Sequence, residues 1–317
     1  MTKKISLNSV MNRLPLIALL IFVMSWTASS EKSEPQLTLA FVGDIMLGRQ
    51  VGRAIQRTGD PALPFRGIHH FISSSDISIG NLECVFVDSI ITGTYNQNVI
   101  RFPAYGETAA GLVLAGFDCC SVANNHALDF GVEGLRATVA VLEKNGVIPS
   151  GRASLHPTVI QKKGFSTALF SVWKDSGKLL TVDENNGYIE LSSDSLFAEI
   201  AEAKKKHDVV ILYPHWGKEY TGLPTESQKV FAHRSVDAGA DIIAGHGPHQ
   251  VQETERYGNS IIAYSLGNCI FDQKYEETRS GIILRVNYRR SAGISAVEVI
   301  SFKLRDRSYV PEIVLDN

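Results

Sequence analysis

The amino-acid sequence predicts an α/β fold. Apolar runs typical of β-strands alternate with segments that carry apolar residues at helical spacing, as in α/β domains. Each of five apolar runs also stops at a turn that contains Gly or Asn. Hydrophobic residues make up 44% of the 317 residues and charged residues 20%. The chain is therefore globular and long enough for one large domain or two small ones.

The first thirty residues differ from the rest of the chain. Basic residues at 3, 4 and 13 precede an apolar run at 14–26, and the small residues Ala28 and Ser30 follow at the spacing of a signal-peptidase site. This order predicts a secretory signal peptide over residues 1–30. The apolar run is shorter than the ~20 residues of a membrane-spanning helix, which favours cleavage. An uncleaved leader would instead anchor the protein to the membrane.

The rest of the chain is interpreted as a polar linker at 31–36 and a single domain at 37–317. We therefore expect the mature protein to be exported to the periplasm or the extracellular space. The four cysteines are interpreted as small buried thiols, and the neighbours Cys119 and Cys120 would point to opposite faces of a strand. A formal net charge of −2, without a basic stripe or a nucleic-acid motif, argues against a nucleic-acid partner.

The individual elements follow from the two periodicities. Apolar runs predict strands at 37–42, 76–79, 117–122, 157–161, 167–172, 209–213, 241–244, 261–265, 281–288 and 296–304. Apolar residues three and four positions apart predict helices at 46–57, 108–115, 132–142, 196–206 and 225–238. The turn Gly43-Asp44 is expected to end the first strand, and the late strands indicate a second sheet.

Residues that bind metals collect at the ends of five predicted strands. In chain order they are Asp44, Glu83, Asn125 with His126, His215, and His246 with His249. One such residue alone is usually a turn, cap or structural residue, but the carboxyl ends of strands in an α/β sheet converge on one edge. Carboxylates, imidazoles and an amide oxygen suit Mn, Fe or Zn, so the pattern predicts a shared metal centre. Two such cations would clamp a phosphoryl-type oxygen and lower the pKa of a bridging water.

Six motifs resemble, in order, those of the capsule-biosynthesis CapA family, which is associated with poly-γ-glutamate capsules. They are Gly-Asp-Ile-Met-Leu-Gly-Arg (43–49), Gly-Asn-Leu-Glu (80–83), Ala-Asn-Asn-His-Ala-Leu-Asp-Phe-Gly (123–131), His-Trp-Gly-Lys-Glu-Tyr (215–220), Gly-His-Gly-Pro-His (245–249) and Tyr-Ser-Leu-Gly-Asn (264–268). That family resembles calcineurin-like metallophosphoesterases. The resemblance implies a four-layer β-sandwich of mixed sheets flanked by helices, with the metals between the sheet edges.

The resemblance also implies a ligand role for six residues. They are Asp44 from the first strand, Glu83 in place of the usual bridging Asp, Asn125 at the second site, His215 and His246 at one site, and His249 at the other. His126 would be the acid that protonates a leaving group.

Four further residues stand beside these motifs. Arg49, a catalytic candidate, Glu219 and Asn268 would face the substrate or support the ligands, and a surface or packing role is the alternative for each. Asp129 would support the site, although helix capping is the simpler explanation and the one we favour for it.

The chain departs from the phosphoesterase pattern at two positions. Met46 stands where such enzymes usually have a His ligand, a feature that CapA relatives share, and a thioether is a poor ligand for a hard cation. Gly247 stands where the motif commonly has His. The sequence is therefore compatible with one or with two divalent ions, of Mn, Fe or Zn.

Two functions fit these observations. The first is an exported metal-dependent hydrolase that cleaves a phosphoester or an amide bond of a cell-surface polymer, linked to capsule metabolism. The second is a non-catalytic, metal-stabilised partner of membrane-bound proteins that make and export poly-γ-glutamate. The presence of His126 beside the ligand candidates favours the hydrolase, whereas Met46 favours the second function or a one-metal enzyme.

Overall fold

The computed structural model describes residues 34–87, 99–152, 155–306 and 309–314. The predicted signal peptide and half of the predicted linker lie outside these residues, so both stay predictions. The elements described below belong to one compact unit that starts at Pro35. Among the described residues, no helix has the length and apolarity that crossing a membrane requires.

The described residues form strands and short helices in alternation. The strands are β1 (Leu37–Ile45), β2 (Ile77–Leu82), β3 (Val85–Val87), β4 (Pro103–Tyr105), β5 (Cys119–Ser121), β6 (Ile148–Ser150), β7 (Thr158–Lys162), β8 (Phe165–Asp175), β9 (Lys178–Asp183), β10 (Gly187–Leu191), β11 (Val209–Trp216), β12 (Ile242–Ala244), β13 (Thr254–Tyr257), β14 (Ser260–Ala263), β15 (Asn268–Ile270), β16 (Ser280–Arg289), β17 (Gly293–Leu304) and β18 (Pro311–Ile313). The helices are α1 (Arg49–Thr58), α2 (His69–Ser73), α3 (Ala110–Ala115), α4 (Gly131–Lys144), α5 (Ser193–Lys206) and α6 (Glu226–Asp237), and 3₁₀ turns lie at Leu63–Phe65, Gly106–Ala109 and Glu276–Arg279.

Two mixed sheets dominate the described part of the fold. The first has the order β18-β17-β16-β1-β2-β5-β6, with β15 also paired to β1, and the second has the order β10-β9-β8-β11-β12-β14-β13, with β7 paired to β8. Strands β1, β2, β5 and β6 are parallel in the first sheet, and β8, β11, β12 and β14 are parallel in the second. Each sheet therefore gathers several strand carboxyl ends at one edge.

Three apolar layers hold the sheets and helices together. The central layer contains Leu39 of β1 and Ile211 of β11, so it lies between the two sheets. One outer layer joins the first sheet to helices such as α4 through Leu135, and the other joins the second sheet to α5 and α6 through Leu196 and Phe231. The order of layers is helix, sheet, sheet, helix. This arrangement confirms the four-layer sandwich of mixed sheets implied by the family resemblance.

The cysteines occupy the interior, as expected. All four are free and buried. Cys119 faces the central layer and Cys120 the outer one, because neighbouring residues of a strand point to opposite faces. Burial raises the pKa of the Cys119 thiol to about 12, so this residue is protonated at neutral pH.

The late strands were assigned to the wrong sheet. We expected them to form a second sheet, but β16 pairs antiparallel with β1 and β17 pairs with β16, which places both in the first sheet. The second sheet comes instead from the middle of the chain. Periodicity identifies a strand but contains no information about its partner, and only the pairing decides which sheet it joins.

Two element boundaries near the site also differ from expectation. Strand β1 continues through Asp44 to Ile45, because Asp44 pairs with Asn81 of β2 and with Asn268 of β15. The following helix therefore begins at Arg49 rather than at residue 46. Similarly, β11 extends to Trp216, so His215 lies within the strand and not in the turn after it.

Candidate metal centre

The carboxyl ends of parallel strands from both sheets meet at the candidate centre. Asp44 lies near the end of β1, and Glu83 directly follows β2. From the second sheet come His215, near the end of β11, and His246, which follows β12 and forms a β-bridge with His215. The side chains of all four residues are buried. The convergence of strand ends expected from the sequence is therefore present across the two sheets.

Asp44 is the carboxylate that two groups of side chains share. Its Oδ1 lies 3.2 Å from Nδ1 of His246 and 3.9 Å from Nδ1 of His215, and its Oδ2 lies 3.1 Å from Nδ1 of His249. The first group is Asp44, His215 and His246, and the second is Asp44, Glu83 and His249. Within each group one ligand atom per residue lies within 4.8 Å of the others.

Glu83 belongs to one of these groups only. Its Oε1 lies 3.6 Å from Nε2 of His249. The resemblance implied that Glu83 would be the bridging carboxylate, whereas the geometry gives the shared position to Asp44. Asp44 sits on the central strand of the first sheet, and its Oδ2 contacts Nδ1 of His249 at 3.1 Å, so it can take part in both groups.

The loop after β12 is shaped around Asp44. Gly247 has a φ of 109° and donates its backbone N–H to Oδ2 of Asp44 at 3.2 Å. A Cβ atom at this position would lie 3.0 Å from the backbone oxygen of Trp216 and 3.1 Å from Nε2 of His215. A residue with a side chain would therefore be strained in this backbone conformation.

Burial and charge set the protonation of the groups around Asp44. Burial alone would raise the pKa of Asp44, but hydrogen bonds from His246 and His249 and the positive charge of His249 outweigh it and hold this pKa well below its usual range. Burial also lowers the pKa of His215 and His246. These two imidazoles are therefore neutral, which is the form that binds cations.

Glu83 shows the opposite shift. Burial, reinforced by the negative charge of Asp44, raises the pKa of Glu83 well above its usual range. Two carboxylates that share a buried site repel each other unless a positive charge lies between them. A cation would therefore favour the charged form of Glu83.

Unpartnered buried atoms test whether these residues fit a cation. Within the described residues, Glu83 Oε1, Asn125 Oδ1 and His246 Nε2 are buried and have no hydrogen-bond partner. Such an atom costs about 1–3 kcal/mol when it remains unsatisfied. Carboxylate oxygens, amide oxygens and imidazole nitrogens are all ligands of divalent Mn, Fe or Zn. The residues therefore fit a divalent cation, and Asn125 offers a buried oxygen of the type that the sequence predicted for it.

His126 is held by Asp129 and faces the ligand groups. Nδ1 of His126 lies 3.0 and 3.2 Å from the two carboxylate oxygens of Asp129, and its Nε2 lies 3.9 Å from Oε1 of Glu83. The ring also packs against Phe102, with 4.0 Å between the ring centroids. Because a carboxylate accepts, Nδ1–H donates to Asp129, and Nε2 remains directed toward the site.

Helix capping does not explain Asp129. Helix α4 begins at Gly131, its N-cap residue is Phe130, and no side chain caps it. The Asp129 carboxylate instead accepts from the backbone N–H of Phe102 at 2.7 Å in addition to contacting His126. The capping interpretation was wrong, and Asp129 orients the imidazole of His126.

Two asparagines that the sequence reasoning did not select organise the centre. Asn81 donates to Oδ1 of Asp44 at 2.9 Å and accepts from Asn124 at 3.0 Å. Asn124 also donates to the backbone oxygen of Leu82 and accepts from the backbone N–H of His126. Both are fully buried. Asn124 directly precedes Asn125, and Asn81 lies two residues before Glu83 in the same motif. This closeness to predicted residues is the signal that could have identified them.

The remaining candidates lie around the centre. Asn268 is buried and its Oδ1 accepts from Nδ1 of His249 at 3.0 Å, so it supports a ligand candidate. Glu219 is exposed, and its charge contributes to the raised pKa of Glu83. Arg49 pairs with Asp272 at 3.2 Å and lies over the ring of Phe102, 5.3 Å from its centroid. Arg49 thus reaches the centre through Phe102 and not through a ligand candidate.

The two mixed sheets with helices on their outer faces form a fold of the metallophosphoesterase type. A phosphatase from Mycoplasma pneumoniae has a similar structure, with a TM-score of 0.56, at 12% sequence identity over 87% of this chain and 96% of that one. At this identity the similarity establishes the fold alone.

Sequence comparison identifies the family of the chain. Residues 38–273 match the bacterial capsule synthesis protein PGA_cap family, and the chain belongs to it. The capsule biosynthesis protein CapA of Bacillus anthracis is 31% identical over 98% of this chain and 79% of its own length. The PGA biosynthesis protein CapA of Bacillus subtilis is 30% identical over 98% of this chain and 84% of its own length.

Removal of divalent metal should lower the melting temperature of the protein. A ligand that binds only the folded state stabilises it by about 2.7 kcal/mol at a hundredfold excess over Kd, which corresponds to a shift of about 5–10 °C. We expect EDTA to produce this loss and added Mn²⁺ to reverse it, as measured by circular dichroism. A His246→Ala variant should respond much less to either treatment. A melting temperature that EDTA leaves unchanged in the wild type would contradict the metal centre.

Proposed function

We propose that the protein is a metal-dependent hydrolase that acts on a bond of a capsule polymer or of a phosphoester related to it. The observation that carries this proposal is the position of His126. A purely structural metal site has no need for an imidazole that a buried carboxylate orients toward the ligand groups. The His126–Asp129 pair resembles the arrangement by which a carboxylate fixes a histidine for proton transfer.

The residues that would hold metal are those of the two groups that share Asp44, and Asn125, whose buried Oδ1 has no hydrogen-bond partner in the described residues, is a further candidate. A divalent cation bound there would supply a Lewis acid and a water of lowered pKa. Asp129 keeps the proton on Nδ1 of His126, so that a second proton, on Nε2, faces the centre. The attacking water gives one proton to solvent and forms a bond to the phosphorus or carbonyl carbon, and the bond from that atom to the leaving oxygen or nitrogen breaks. His126 gives its Nε2 proton to that leaving atom.

Membership of the family supports a link to the capsule, but it does not identify the bond that is cleaved. The relatives from two Bacillus species are described as capsule or PGA biosynthesis proteins. A hydrolase in such a process would release, trim or transfer a polymer chain, or cleave a phosphoester precursor. Membrane-bound capsule synthesis proteins are the partners that we propose for it.

A second function has specific support from Met46. Its side chain is buried, and its Sδ accepts from the backbone N–H of Gly48 at 3.2 Å, so the sulfur takes part in the turn before α1. The group of Asp44, Glu83 and His249 therefore has no histidine at position 46 to add to it. The descriptions of the two relatives also name synthesis and not degradation. A metal-stabilised accessory protein of polymer synthesis fits both observations.

An activity screen separates the two functions. The full chain, loaded with Mn²⁺, Fe²⁺ or Zn²⁺, would be incubated with p-nitrophenyl phosphate, bis(p-nitrophenyl) phosphate, γ-glutamyl p-nitroanilide and poly-γ-glutamate. We expect metal-dependent release of product from at least one of them, and its loss with EDTA. Bound metal without turnover of any substrate would contradict the hydrolase and support the accessory function.

We also propose that the protein acts outside the cytoplasmic membrane. This proposal rests on the order of basic, apolar and small residues over positions 1–30. N-terminal sequencing of the protein from its native host should find a chain that begins near Glu31. An intact Met1 on material from the cytoplasm would contradict the proposal.

A further inference from the structure

Two tyrosines, Tyr220 and Tyr275, lie at the border between the candidate centre and solvent, and we call them the tyrosine pair. The ring of Tyr220 packs against the imidazole of His249, with 5.9 Å between the ring centroids, and Tyr275 meets Tyr220 edge to face at 5.4 Å. His249 is buried, whereas Tyr220 is 45% exposed and Tyr275 is 62% exposed. The two phenol rings therefore leave apolar surface open to solvent directly beside a ligand candidate.

The tyrosine pair and His126 border the same site. Nε2 of His249 lies 3.6 Å from Oε1 of Glu83, and Nε2 of His126 lies 3.9 Å from the same oxygen. The nitrogen that would donate the proton and the imidazole that packs against Tyr220 thus meet at one carboxylate oxygen. A substrate whose reacting bond lies beside His126 therefore has its organic part within reach of the tyrosine pair.

The loop that joins β11 to α6 carries Tyr220 and is fixed by two buried glutamines. Nε2 of Gln252 donates to the backbone oxygens of Thr221 and Leu223 at 2.9 and 3.0 Å. Nε2 of Gln228 in turn donates to Oε1 of Gln252 at 3.1 Å, and both glutamines are only 3% exposed. An exposed ring on a loop that is already fixed loses little freedom when a ligand binds. Tyr220 is therefore preorganised for binding.

The backbone of Tyr220 is held in the left-handed region. Its φ is 60°, a conformation that is rare for a bulky residue. The backbone N–H of Tyr220 donates to the backbone oxygen of Pro248 at 2.9 Å, which ties this residue to the loop of His249. Such strain persists only where the surrounding contacts impose it, and it is concentrated at ligand sites. The strained conformation thus keeps a half-exposed ring against His249.

The geometry of the tyrosine pair favours a ring as its ligand. The planes of the two phenol rings meet at 65°, so they form a corner with two apolar walls. Aromatic rings pack against other rings in stacked or edge-to-face arrangements, and a corner offers both contacts at once. A flexible alkyl chain would lose rotational freedom on the same surface, whereas a ring has little to lose. An aromatic group and a sugar both have a ring with an apolar face.

We propose that the tyrosine pair positions the substrate by packing against a ring next to its reacting bond, and that the substrate is a phosphoester with an aromatic or sugar ring. The inference rests on the proposed function and deepens it, because it concerns the substrate of the same centre. It is tested by binding, which requires no turnover. A protein that binds ring ligands through the tyrosine pair but hydrolyses nothing would keep this inference and lose the hydrolase.

The test measures binding of phosphonates, which resist hydrolysis. The full chain, loaded with Mn²⁺, would be titrated by calorimetry with phenylphosphonate, with the phosphonate analogue of glucose 1-phosphate, and with hexylphosphonate, which has the carbon number of phenylphosphonate but no ring. We expect at least one ring ligand to bind about tenfold more tightly than hexylphosphonate, which corresponds to about 1.4 kcal/mol. Tyr220→Ala and Tyr275→Ala should each remove most of this preference. Tyr220→Phe, which keeps the ring, should retain it.

Tyr257→Ala is the matched control, because Tyr257 stacks on the imidazole of His233 at 4.2 Å in a similar pair away from the centre. This variant should keep the preference for a ring, and the bound metal should be unchanged in all variants. Equal binding of ring ligands and hexylphosphonate, or no binding of either ring ligand, would overturn the proposal. A preference that survives both Tyr220→Ala and Tyr275→Ala would do the same. Loss of metal in Tyr220→Ala would assign Tyr220 a structural role at His249 and also overturn it.

Discussion

Asp44→Asn should reduce the bound metal to near zero and lower kcat/KM by more than about 10³-fold on any substrate that the wild type cleaves. Asp44 is the carboxylate common to both candidate ligand groups, so its loss weakens both at once. Asparagine keeps the size and one oxygen but removes the negative charge that a cation requires. Metal catalysis contributes several kcal/mol, and each 1.36 kcal/mol corresponds to tenfold in rate. Metal analysis and kinetics on the same sample would measure both effects.

The control for this variant is another buried aspartate outside the centre. Asp183 accepts hydrogen bonds within its own turn, from the backbone N–H groups of Asn185 and Asn186. Asp183→Asn should lose some stability and keep its metal. If Asp44→Asn retained the full metal content, Asp44 would not be the shared ligand, and the bridging role would return to Glu83.

The sequence contains enough information for the strands but less for their arrangement. Runs such as Val209 to Tyr213 are apolar at every position because both faces of β11 are covered, one by the other sheet and one by helices α5 and α6. This double burial marks the strand clearly. Strand β13, by contrast, lies at the edge of its sheet and is half exposed, so its residues carry no apolar pattern and it was missed. Pairing between distant segments, as of β1 with β16, depends on contacts that no local pattern records.

The candidate site could also be predicted in part: its residues could, but their contacts could not. Strand ends marked the residues that converge, because Gly and Asn turns are visible in the sequence. The sequence could not predict that both ligand groups contain Asp44. This depends on the contact between Asp44 of the first sheet and His249, which lies in the loop after a strand of the second sheet. Asp129 was misread because a carboxylate just before a helix has two common uses, and only the position of the His126 ring distinguishes them. Asn81 and Asn124 bind other side chains and backbone, so their residue type alone gave no reason to select them.

His126→Ala should lower kcat by about 10²–10⁴-fold and leave the metal content unchanged. His126 belongs to neither ligand group that shares Asp44, so its removal takes away a proton donor and no proposed ligand. The loss should be largest for substrates with a poor leaving group, such as an alkyl phosphoester or an amide. It should be smaller for p-nitrophenyl esters, because p-nitrophenolate departs without a proton. A merely structural role for His126 would reduce the rates of all these substrates by the same factor.

Asp129→Asn provides the second arm of this experiment. It removes the carboxylate that holds Nδ1–H of His126, and we expect a loss of about 10–100-fold with the same dependence on the leaving group. His233→Ala is the matched control, because Nε2 of His233 contacts the carboxylate of Glu255 at 3.0 Å in a similar pair away from the centre. That variant should keep both rate and metal. An active wild type whose rate survives His126→Ala would refute the acid assignment. Loss of metal in His126→Ala would make this residue a ligand, and the proton donor would then have to be sought elsewhere in the centre.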